Sequence, residues 1–276
     1  MKKNNNNPLV SVIITTKDSE RFIGSCLKTI KNQSYSNIEI IVVDNFSNDK
    51  TKDITIKYTK NFFEKGPERS AQRNFGAEKA KGKYLLIVDS DMELSENVVK
   101  ECVKEIESRN EVKEIIIPEI SFGDGFWAKC KALERSCYAG DDTIEAARFF
   151  DKDVFLEFEG YDEQITGPED WDLSQRIGKK YKISRIKSPI RHNEADLSLI
   201  KSTKKKYYYS HKFLEYAKKH PKIAKKQVNL IFRPAFFRNW KRLIKDPIHT
   251  LGFLFMKLCE SIAGIIGIIV SRFKKH

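Results

Sequence analysis

Three apolar runs in the first third of the chain each end in polar, mostly acidic, side chains. The runs are LVSVIIT at residues 9–15, IEIIVV at 38–43 and YLLIV at 84–88. Helical spacing of apolar residues separates them, with one helix predicted near residues 22–30 and another near 70–80. Strands that are apolar almost throughout and alternate with helices predict an α/β fold, in which helices cover both faces of a mostly parallel sheet.

The polar residues that follow these strands define a predicted ligand-binding edge, because open α/β sheets bind ligands beyond the carboxyl ends of their strands. The three polar segments are Thr15–Asp18, Asp44–Asp49 and Asp89–Asp91. In an extended segment, residues two apart point the same way, so the carboxylates of Asp89 and Asp91 can converge on one point. Carboxylate oxygens suit Mg²⁺ or Mn²⁺, which also bind diphosphate oxygens.

The net charge of +13 is concentrated in one part of the 276-residue chain. Residues 201–245 contain fifteen Lys and Arg and a single acid, Glu215, whereas the remainder is nearly neutral. Such a segment favours a polyanionic partner, either nucleic acid or an anionic membrane surface. The five cysteines include no CxxC pair, which disfavours a disulfide framework or a zinc site. The start, MKKNNNNPLV, has no apolar signal-peptide core, so we expect a cytoplasmic protein.

The C-terminal part has the pattern of a membrane-attached region. A helix over residues 232–244 would place Phe236, Phe237 and Trp240 on one face and Arg238, Lys241 and Arg242 on the other, as in interfacial helices. Residues 247–273 are apolar except for a stripe of polar and small residues that includes Lys257 and Glu260. We therefore expect a helix that is half-embedded in the membrane or packed on its neighbour. A true span and packing in a soluble protein or oligomer are the alternatives.

Four segments, in order, resemble glycosyltransferase family 2, which has the GT-A fold, over roughly residues 8–195. These segments are VSVIITTKD, IEIIVVDNFSND, AQRNFGAEKAKGKYLLIVDSD and EGYDEQITGPEDWDLSQRI. The resemblance implies a GT-A domain, which we place at residues 8–200. The sequence pattern outside it predicts a disordered N-terminus at residues 1–7 and a basic helical membrane-attachment region at 201–276. The Gln-x-x-Arg-Trp signature of processive synthases is missing, so transfer of a single sugar is expected.

The resemblance also implies roles for individual residues. It assigns Thr15, Asp44 and Arg73 to the nucleoside; Asp89 and Asp91 to ribose, diphosphate and metal; Asp170 to the general base; Glu169 and Trp171 to the acceptor; and His192 to the metal or diphosphate. The first turn is Thr16-Lys17-Asp18 where the family often has Tyr-Asn, and Asp44-Asn45-Phe46 replaces Asp-Asp-Gly. These departures leave the donor nucleotide open.

The expected activity is inverting transfer of one sugar from a UDP- or GDP-sugar, assisted by Mn²⁺ or Mg²⁺. A surface-attached enzyme suggests a lipid-linked saccharide as the acceptor, at the cytoplasmic face of the cell membrane. One alternative is transfer to a polyprenyl phosphate, which needs no general base. Another is a nucleic-acid-binding protein, with Tyr207, Tyr208 and Tyr209 stacking on bases. Segregation of the later aromatic residues to one face favours a bilayer, so no nucleic-acid partner is expected.

Overall fold

The computed structural model describes residues 7–141, 144–194, 197–228 and 233–273, so nearly all of the segment predicted to be disordered, residues 1–7, lies outside the described residues. The strands are β1 (Val10–Thr16), β2 (Ile38–Asp44), β3 (Phe62–Glu64), β4 (Tyr84–Asp89), β5 (Met92–Leu94), β6 (Val112–Ile116), β7 (Glu119–Phe122), β8 (Ala147–Asp151), β9 (Lys182–Arg185) and β10 (Ile190–Asn193). The helices are α1 (Ile23–Lys31), α2 (Thr51–Thr55), α3 (Arg69–Lys79), α4 (Val98–Ser108), α5 (Phe126–Ser136), α6 (Lys152–Glu157), α7 (Glu169–Ile177), α8 (Leu199–Lys219), α9 (Pro221–Val228), α10 (Pro234–Arg238), α11 (Trp240–Lys245) and α12 (Pro247–Phe273).

The chain forms two units. The first comprises Met1–Pro118, Ala147–Tyr161 and Arg176–Ile190, and the second comprises Glu119–Ala146, Asp162–Gln175 and Arg191–His276. The first unit contains a seven-stranded sheet of order β3-β2-β1-β4-β8-β6-β9. Strand β8 runs antiparallel to β4 and β6, and the other neighbouring pairs are parallel. The predicted α/β fold with a mostly parallel sheet is confirmed.

The region after the parallel strands differs from its sequence pattern. Residues 146–150 and 154–158 suggest edge strands or a short helix, but β8 lies inside the sheet, between β4 and β6. Its residues are buried throughout, which accounts for the apolar side chains of Phe149 and Phe150 at its centre. Most of the following segment forms α6, because Asp151 caps that helix through Oδ1, which accepts bonds from the backbone N–H groups of Asp153 and Val154.

Close packing of α3 on the sheet depends on Gly76. A methyl group at this position would lie 2.5 Å from Cγ2 of Ile13 and 3.3 Å from Cγ2 of Val43. These side chains belong to β1 and β2, two of the three strands whose carboxyl ends carry predicted site residues. Gly76 therefore brings α3 close enough for Gln72 to reach the ends of β1 and β2 and for Arg73 to reach Asp89 at the end of β4.

The second unit is largely helical, and its long helix α12 packs along α8 and α5. The two charges that interrupt the apolar sequence of α12 are neutralised inside this unit. Lys257 Nζ lies 2.5 Å from Glu260 Oε2 and 2.7 Å from Glu134 Oε1, and Lys131 lies 2.9 Å from the other oxygen of Glu134. Glu260 also accepts a hydrogen bond from Ser202 of α8. The polar stripe therefore packs on neighbouring helices, as one of the two expected arrangements requires.

The continuous helix predicted over residues 232–244 is wrong for the described part of that segment. The chain forms α10 and α11, with a break at Asn239, whose side-chain amide donates to the carbonyls of Cys137 and Ala235. Phe232 lies outside the described residues. Phe236 is buried against Tyr138 and Phe253, whereas Phe237 and Trp240 are exposed. The aromatic residues therefore divide between the core and the surface instead of sharing one outward face.

We predict that Gly76→Val lowers the free energy of unfolding by about 1–3 kcal/mol, because added methyl groups overpack a filled site. The matched control is Gly24→Ala in α1, where the new methyl would meet its nearest neighbour, Cγ2 of Ile54, at an ordinary 3.6 Å. This control should leave stability unchanged or raise it by up to about 1 kcal/mol. Urea unfolding followed by circular dichroism measures both. An unfolding free energy for Gly76→Val equal to that of the wild type would contradict the packing role of Gly76.

Candidate functional site

The carboxyl end of β4 carries Asp89, whose carboxylate is held by side chains from three other elements. Arg73 of α3 donates to Asp89 Oδ1 at 3.0 Å, and the hydroxyl of Thr15 in β1 donates to the same oxygen at 3.2 Å. Arg69 and Arg148 lie 3.9 and 3.7 Å from Oδ2. The structure thus brings together Thr15, Arg73 and Asp89, as the sequence predicts.

Electrostatics keep Asp89 ionised. Burial alone would raise its pKa, but the guanidinium groups of Arg73, Arg148 and Arg69 hold the pKa of Asp89 well below its usual range. Arg73 is fully buried, and its guanidinium lies 5.1 Å from the ring centre of Tyr161. Asp89 therefore balances cations that would otherwise be expensive to bury.

Asp91, two residues further on, is the other acid of the pair. Between the two, Ser90 donates to the hydroxyl of Ser19 at 2.9 Å, which ties this turn to the loop after β1. Burial, Asp91 and Asp89 together raise the pKa of the Cys26 thiol, so this cysteine stays protonated at neutral pH. No group of three or more His, Cys, Asp or Glu side chains in the described part of the chain is placed to hold a metal ion by itself.

Asp89 and Asp91 differ in how well their carboxylates suit a divalent cation. The charge of Asp89 is already compensated by three guanidinium groups, which would repel a divalent ion beside it. Asp91 supplies the hard carboxylate oxygens that Mg²⁺ and Mn²⁺ prefer. These ions commonly take one or two protein carboxylates and complete their coordination with water and substrate phosphates. Asp91 therefore fits the role of a direct metal ligand better than Asp89 does.

Asp44, at the carboxyl end of β2, is buried and shapes the loop that follows. Its two carboxylate oxygens accept bonds from the backbone N–H and the hydroxyl of Ser47, both at 2.6 Å. The Ser47 hydroxyl oxygen in turn accepts a bond from the backbone N–H of Asp18 at 2.7 Å. Asp18 and Phe46 have positive φ angles of 44° and 53°, which non-glycine residues seldom adopt. A strained pair of loops is thus joined beside the nucleoside position predicted for Asp44.

The first turn of α7, in the second unit, contains three acids with different surroundings. Glu169 is buried and accepts a bond from the backbone N–H of Gly167 at 2.5 Å. Asp172 is buried, and its Oδ1 lies 2.8 Å from Nε2 of His220. Asp170 is partly exposed. Two of the three acids therefore fix the local structure, and Asp170 is the one that remains accessible.

Trp171 is held on two sides. Its indole N–H donates to the carbonyl of Ile144 at 2.9 Å, and its ring lies 6.3 Å from that of Tyr216. Another part of the residue lines a cavity. The acceptor role that the resemblance implies for Trp171 stays a prediction, and the partial burial of the side chain is compatible with it.

His192 lies in β10, with Nδ1 2.9 Å from a guanidinium nitrogen of Arg135 and 3.6 Å from Glu119. Since arginine can only donate, Nδ1 accepts, and a neutral ring then carries its proton on Nε2. Neither ring nitrogen offers a lone pair to a metal in this arrangement. The metal role of His192 stays a prediction, and it requires the ring to leave Arg135.

Four contributors were missed in the sequence: Arg69, Gln72, Arg148 and Ser47. Arg69 precedes Arg73 by one helical turn, a spacing that places both on one face of α3. The amide of Gln72 donates to the carbonyls of Thr16 and Val43, which links the ends of β1 and β2. Arg148 is an arginine inside an otherwise apolar strand, and such a buried charge signals a partner. Nothing in the local sequence distinguishes Ser47.

Comparison with known proteins identifies the same region. The family model described as Glycosyl transferase family 2 matches residues 11–156, more than half of the chain. A putative glycosyltransferase, EpsH of Bacillus subtilis, is 37% identical over 90 residues, which cover 30% of this chain and 26% of the relative. The GalNAc(5)-diNAcBac-PP-undecaprenol beta-1,3-glucosyltransferase of Campylobacter jejuni is 33% identical over 97 residues, covering 32% and 31%. The chain thus spans only about a third or less of the length of these two relatives.

Two solved structures share the fold. The mannosyltransferase PcManGT from Pyrobaculum calidifontis, in complex with GDP-Man and Mn²⁺, superposes with a TM-score of 0.63 at 15% identity, covering 95% of this chain and 87% of that one. S. aureus TarS 1-349, in complex with UDP-GlcNAc, has a TM-score of 0.51 at 20% identity, covering 75% and 66%. At these identities the likeness shows the fold alone.

We predict that Asp89→Asn lowers the free energy of unfolding at pH 7 by about 3 kcal/mol, because it removes a charge that balances buried guanidinium groups. Asp91→Asn, the matched control, should cost less. Because the folded pKa of Asp89 is depressed, its contribution is present above its unfolded pKa of about 4 and is lost as pH falls toward the folded value. Urea unfolding between pH 7 and pH 3 should show this loss in the wild type and not in Asp89→Asn. If Asp89→Asn and Asp91→Asn lowered the free energy of unfolding at pH 7 by the same amount, the structural role of Asp89 would be contradicted.

Proposed function

The chain belongs to glycosyl transferase family 2, and on that premise we propose that it transfers one sugar from a nucleoside-diphosphate sugar to a hydroxyl group of a lipid-linked saccharide. The observation that carries this proposal is the cluster of Thr15, Arg73 and Asp89 at the strand ends, within the segment that matches the family. Solved proteins of the same fold bind GDP-Man and UDP-GlcNAc, which supports a nucleotide sugar as donor. Either nucleotide fits the proposal.

On the donor side, the nucleoside lies against the joined loops after β1 and β2, near Thr15, Asp44 and Arg73. Asp44 contributes by holding the Ser47 turn, because both of its carboxylate oxygens bind there. Asp91 would hold Mn²⁺ or Mg²⁺, and Asp89 fixes Arg73 through the bond between their side chains. When bound, the cation supplies charge neutralisation for the departing diphosphate.

On the acceptor side, Asp170 accepts the proton of the attacking hydroxyl group. A base of this kind must lie within hydrogen-bond reach of the hydroxyl, and a fixed helix start provides such positioning. Glu169 and Asp172 support it through their bonds to Gly167 and His220, so we assign Glu169 a positioning role rather than direct contact with the acceptor. Attack opposite the leaving diphosphate inverts the anomeric configuration.

The membrane attachment proposed for residues 201–276 is supported by the exposed face of α12. The segment Pro247–Ser271 of this helix is long and apolar enough to cross a membrane by length and composition, with a mean hydropathy of 2.1 over an 18-residue window. Its exposed apolar residues recur at helical spacing, with two adjacent pairs: Ile248, Leu251, Leu254, Phe255, Leu258, Ile262, Ile265, Ile266, Ile269 and Phe273. These residues form one apolar stripe about 40 Å long, and the opposite face of α12 packs on protein. A helix with a single apolar face is expected to lie in the membrane interface rather than to span the bilayer.

This arrangement supports the lipid-linked acceptor and the cytoplasmic membrane face. Exposed Phe237, Trp240 and Ile244 belong to the same unit as α12, among the basic residues of α10 and α11. Aromatic residues with neighbouring Lys and Arg suit the headgroup region of an anionic leaflet. The C. jejuni relative is named for an undecaprenol-linked substrate, which supports the same acceptor class.

Transfer to a polyprenyl phosphate is the second candidate function. It is favoured by the cationic side chains that line a cavity beside α12, because they could bind the acceptor phosphate.

We predict that Asp170→Asn lowers turnover with a saccharide acceptor by about 10²–10⁴-fold while the donor KM changes little. Asp124→Asn, which neutralises an exposed acid in the same unit, is the matched control. Assays use UDP- and GDP-sugars with Mn²⁺ or Mg²⁺. If Asp170→Asn turned over at the wild-type rate, and a polyprenyl phosphate were the sole effective acceptor, the hydroxyl-acceptor proposal would be wrong. Transfer to a polyprenyl phosphate would then replace it.

We further predict that the double variant Leu258→Glu/Ile262→Glu binds phosphatidylcholine–phosphatidylglycerol vesicles about a hundredfold more weakly in co-sedimentation. Each of the two apolar side chains would contribute roughly 1.5–3 kcal/mol to binding when it enters the membrane. Both substitutions fall on exposed positions and leave the packed face of α12 intact. Ser36→Glu/Asn110→Glu adds the same charge at exposed sites of the first unit and should bind like the wild type. Unchanged vesicle binding with loss of a dimer would instead identify the α12 face as a self-association surface.

A further inference from the structure

A cavity of about 230 Å³ lies inside the second unit, between α8, α12 and the loop that precedes α7. Its α12 wall is formed by Ser261, Gly264, Ile265 and Ile268. Ile265 belongs to the exposed stripe described above and is 58% exposed. The apolar part of the cavity is therefore continuous with the surface proposed to lie in the membrane.

The lining of the cavity also carries positive charge. Lys206 of α8 and Arg233 both line it. Arg233 is buried, with its guanidinium 5.1 Å from the ring centre of Tyr138. Lys206 makes no hydrogen bond or ion pair within the described ranges of the chain, although α8 is long and mostly polar. Burial and the nearby ammonium group of Lys257 lower the pKa of Lys206 to about 8.

The buried acids nearest to Lys206 form ion pairs with other lysines, although Glu260 partly offsets the charge of Lys206 from a distance. Glu134 and Glu260 are engaged by Lys131 and Lys257 at 2.5–3.9 Å. Lys206 therefore adds positive charge to a network whose two acids are matched by two lysines. An anion in the cavity would stabilise Lys206, and phosphate is an anion that Lys and Arg bind well.

The third wall connects the cavity to the acceptor motif. Trp171 and Pro168 line it, together with Gly167, whose φ of 103° brings its backbone against the Tyr209 ring. Trp171 directly follows Asp170, the proposed base. A ligand held in this cavity thus has an apolar end toward the exposed face of α12 and its other end at the first turn of α7.

We propose that this cavity binds the phosphorylated head of the lipid-linked acceptor, with phosphate on Lys206 and Arg233 and the first part of the lipid chain against Ile265 and Ile268. The assignment rests on the proposed function, because it takes the acceptor to be a lipid-linked saccharide. The cavity holds the lipid phosphate so that the sugar projects toward Trp171. Recognition of the lipid phosphate is then separate from recognition of the donor diphosphate.

Two variants of the full chain test the cavity. Lys206→Gln removes the charge, and Lys204→Gln, an exposed position of the same helix, is its matched control. Gly264→Leu fills the space: a methyl at Gly264 would meet only Lys206 carbons, at 3.8 and 3.9 Å, so the backbone tolerates the change. Binding is measured to phosphatidylcholine vesicles that contain a few per cent polyprenyl phosphate. Vesicles with the same fraction of phosphatidylglycerol report general charge attraction.

Lys206→Gln and Gly264→Leu should each weaken the preference for polyprenyl phosphate over phosphatidylglycerol by about tenfold or more, as expected for loss of a charge-assisted hydrogen bond or of the space for the ligand. Lys204→Gln should preserve the preference. Equal effects of Lys206→Gln and Lys204→Gln, or no lipid preference in the wild type, would overturn the assignment. Full displacement by millimolar inorganic phosphate would also overturn it, because the site would then bind a soluble anion.

Thermal stabilisation by nucleotide sugars is measured on the same samples. If a UDP- or GDP-sugar stabilises all variants equally while the lipid preference is insensitive to Lys206, the cavity assignment fails and the glycosyltransferase proposal stands. If no nucleotide sugar stabilises the wild type with Mn²⁺ or Mg²⁺, the proposed function itself fails. The two failures are therefore distinguishable.

Discussion

Asp89 is surrounded by three guanidinium groups, and the arrangement of the first unit depends on this cluster. Arg69 and Arg73 come from α3, which Gly76 allows to lie close to the sheet, and Arg148 comes from the antiparallel strand beside β4. A buried carboxylate among buried arginines is stable only when each compensates the other. Because its charge is compensated by these guanidinium groups, Asp89 is poorly suited to bind a cation, so the metal-ligand role proposed above is assigned to Asp91.

The same principle, in the second unit, makes α12 amphipathic. Lys257 and Glu260 place two charges in an otherwise apolar helix. Both charges are compensated, because they form a network of ion pairs with Glu134 and Lys131 of α5. Small residues then allow close approach, because a methyl at Gly267 would collide with the Ser210 hydroxyl. Once its polar stripe is satisfied by protein, only the apolar face remains exposed. A spanning helix would have to expose that network, or carry α5 with it, inside hydrocarbon, which is far more costly than lying in the interface.

The alternation of apolar strands and helices was enough to predict the sheet and to place Thr15, Asp44 and Asp89 at its carboxyl edge. The strand pattern is reliable there because both faces of the sheet are buried. Non-local partners were not predictable: the place of β8 inside the sheet, and with it the contact of Arg148 with Asp89, depends on pairing between distant segments. The break at Asn239 was not predictable from the helical spacing of residues 232–244. It depends on the hydrogen bond from Asn239 to the carbonyl of Cys137, which is distant in the sequence. Amphipathic spacing alone does not reveal which aromatic residues tertiary packing will bury.

The first turn of α7 shows how three adjacent acids acquire different roles. Glu169 accepts from the Gly167 backbone and Asp172 pairs with His220, so both carboxylates are consumed in holding the helix start. Trp171 is fixed by its bond to Ile144 and its contact with Tyr216. Asp170 is thus the carboxylate in this turn that is both accessible and carried on a rigid frame, the two properties that a general base needs. Trp171 of this turn also lines the cavity that Lys206 and Arg233 line, so a group bound there would lie beside the first turn of α7.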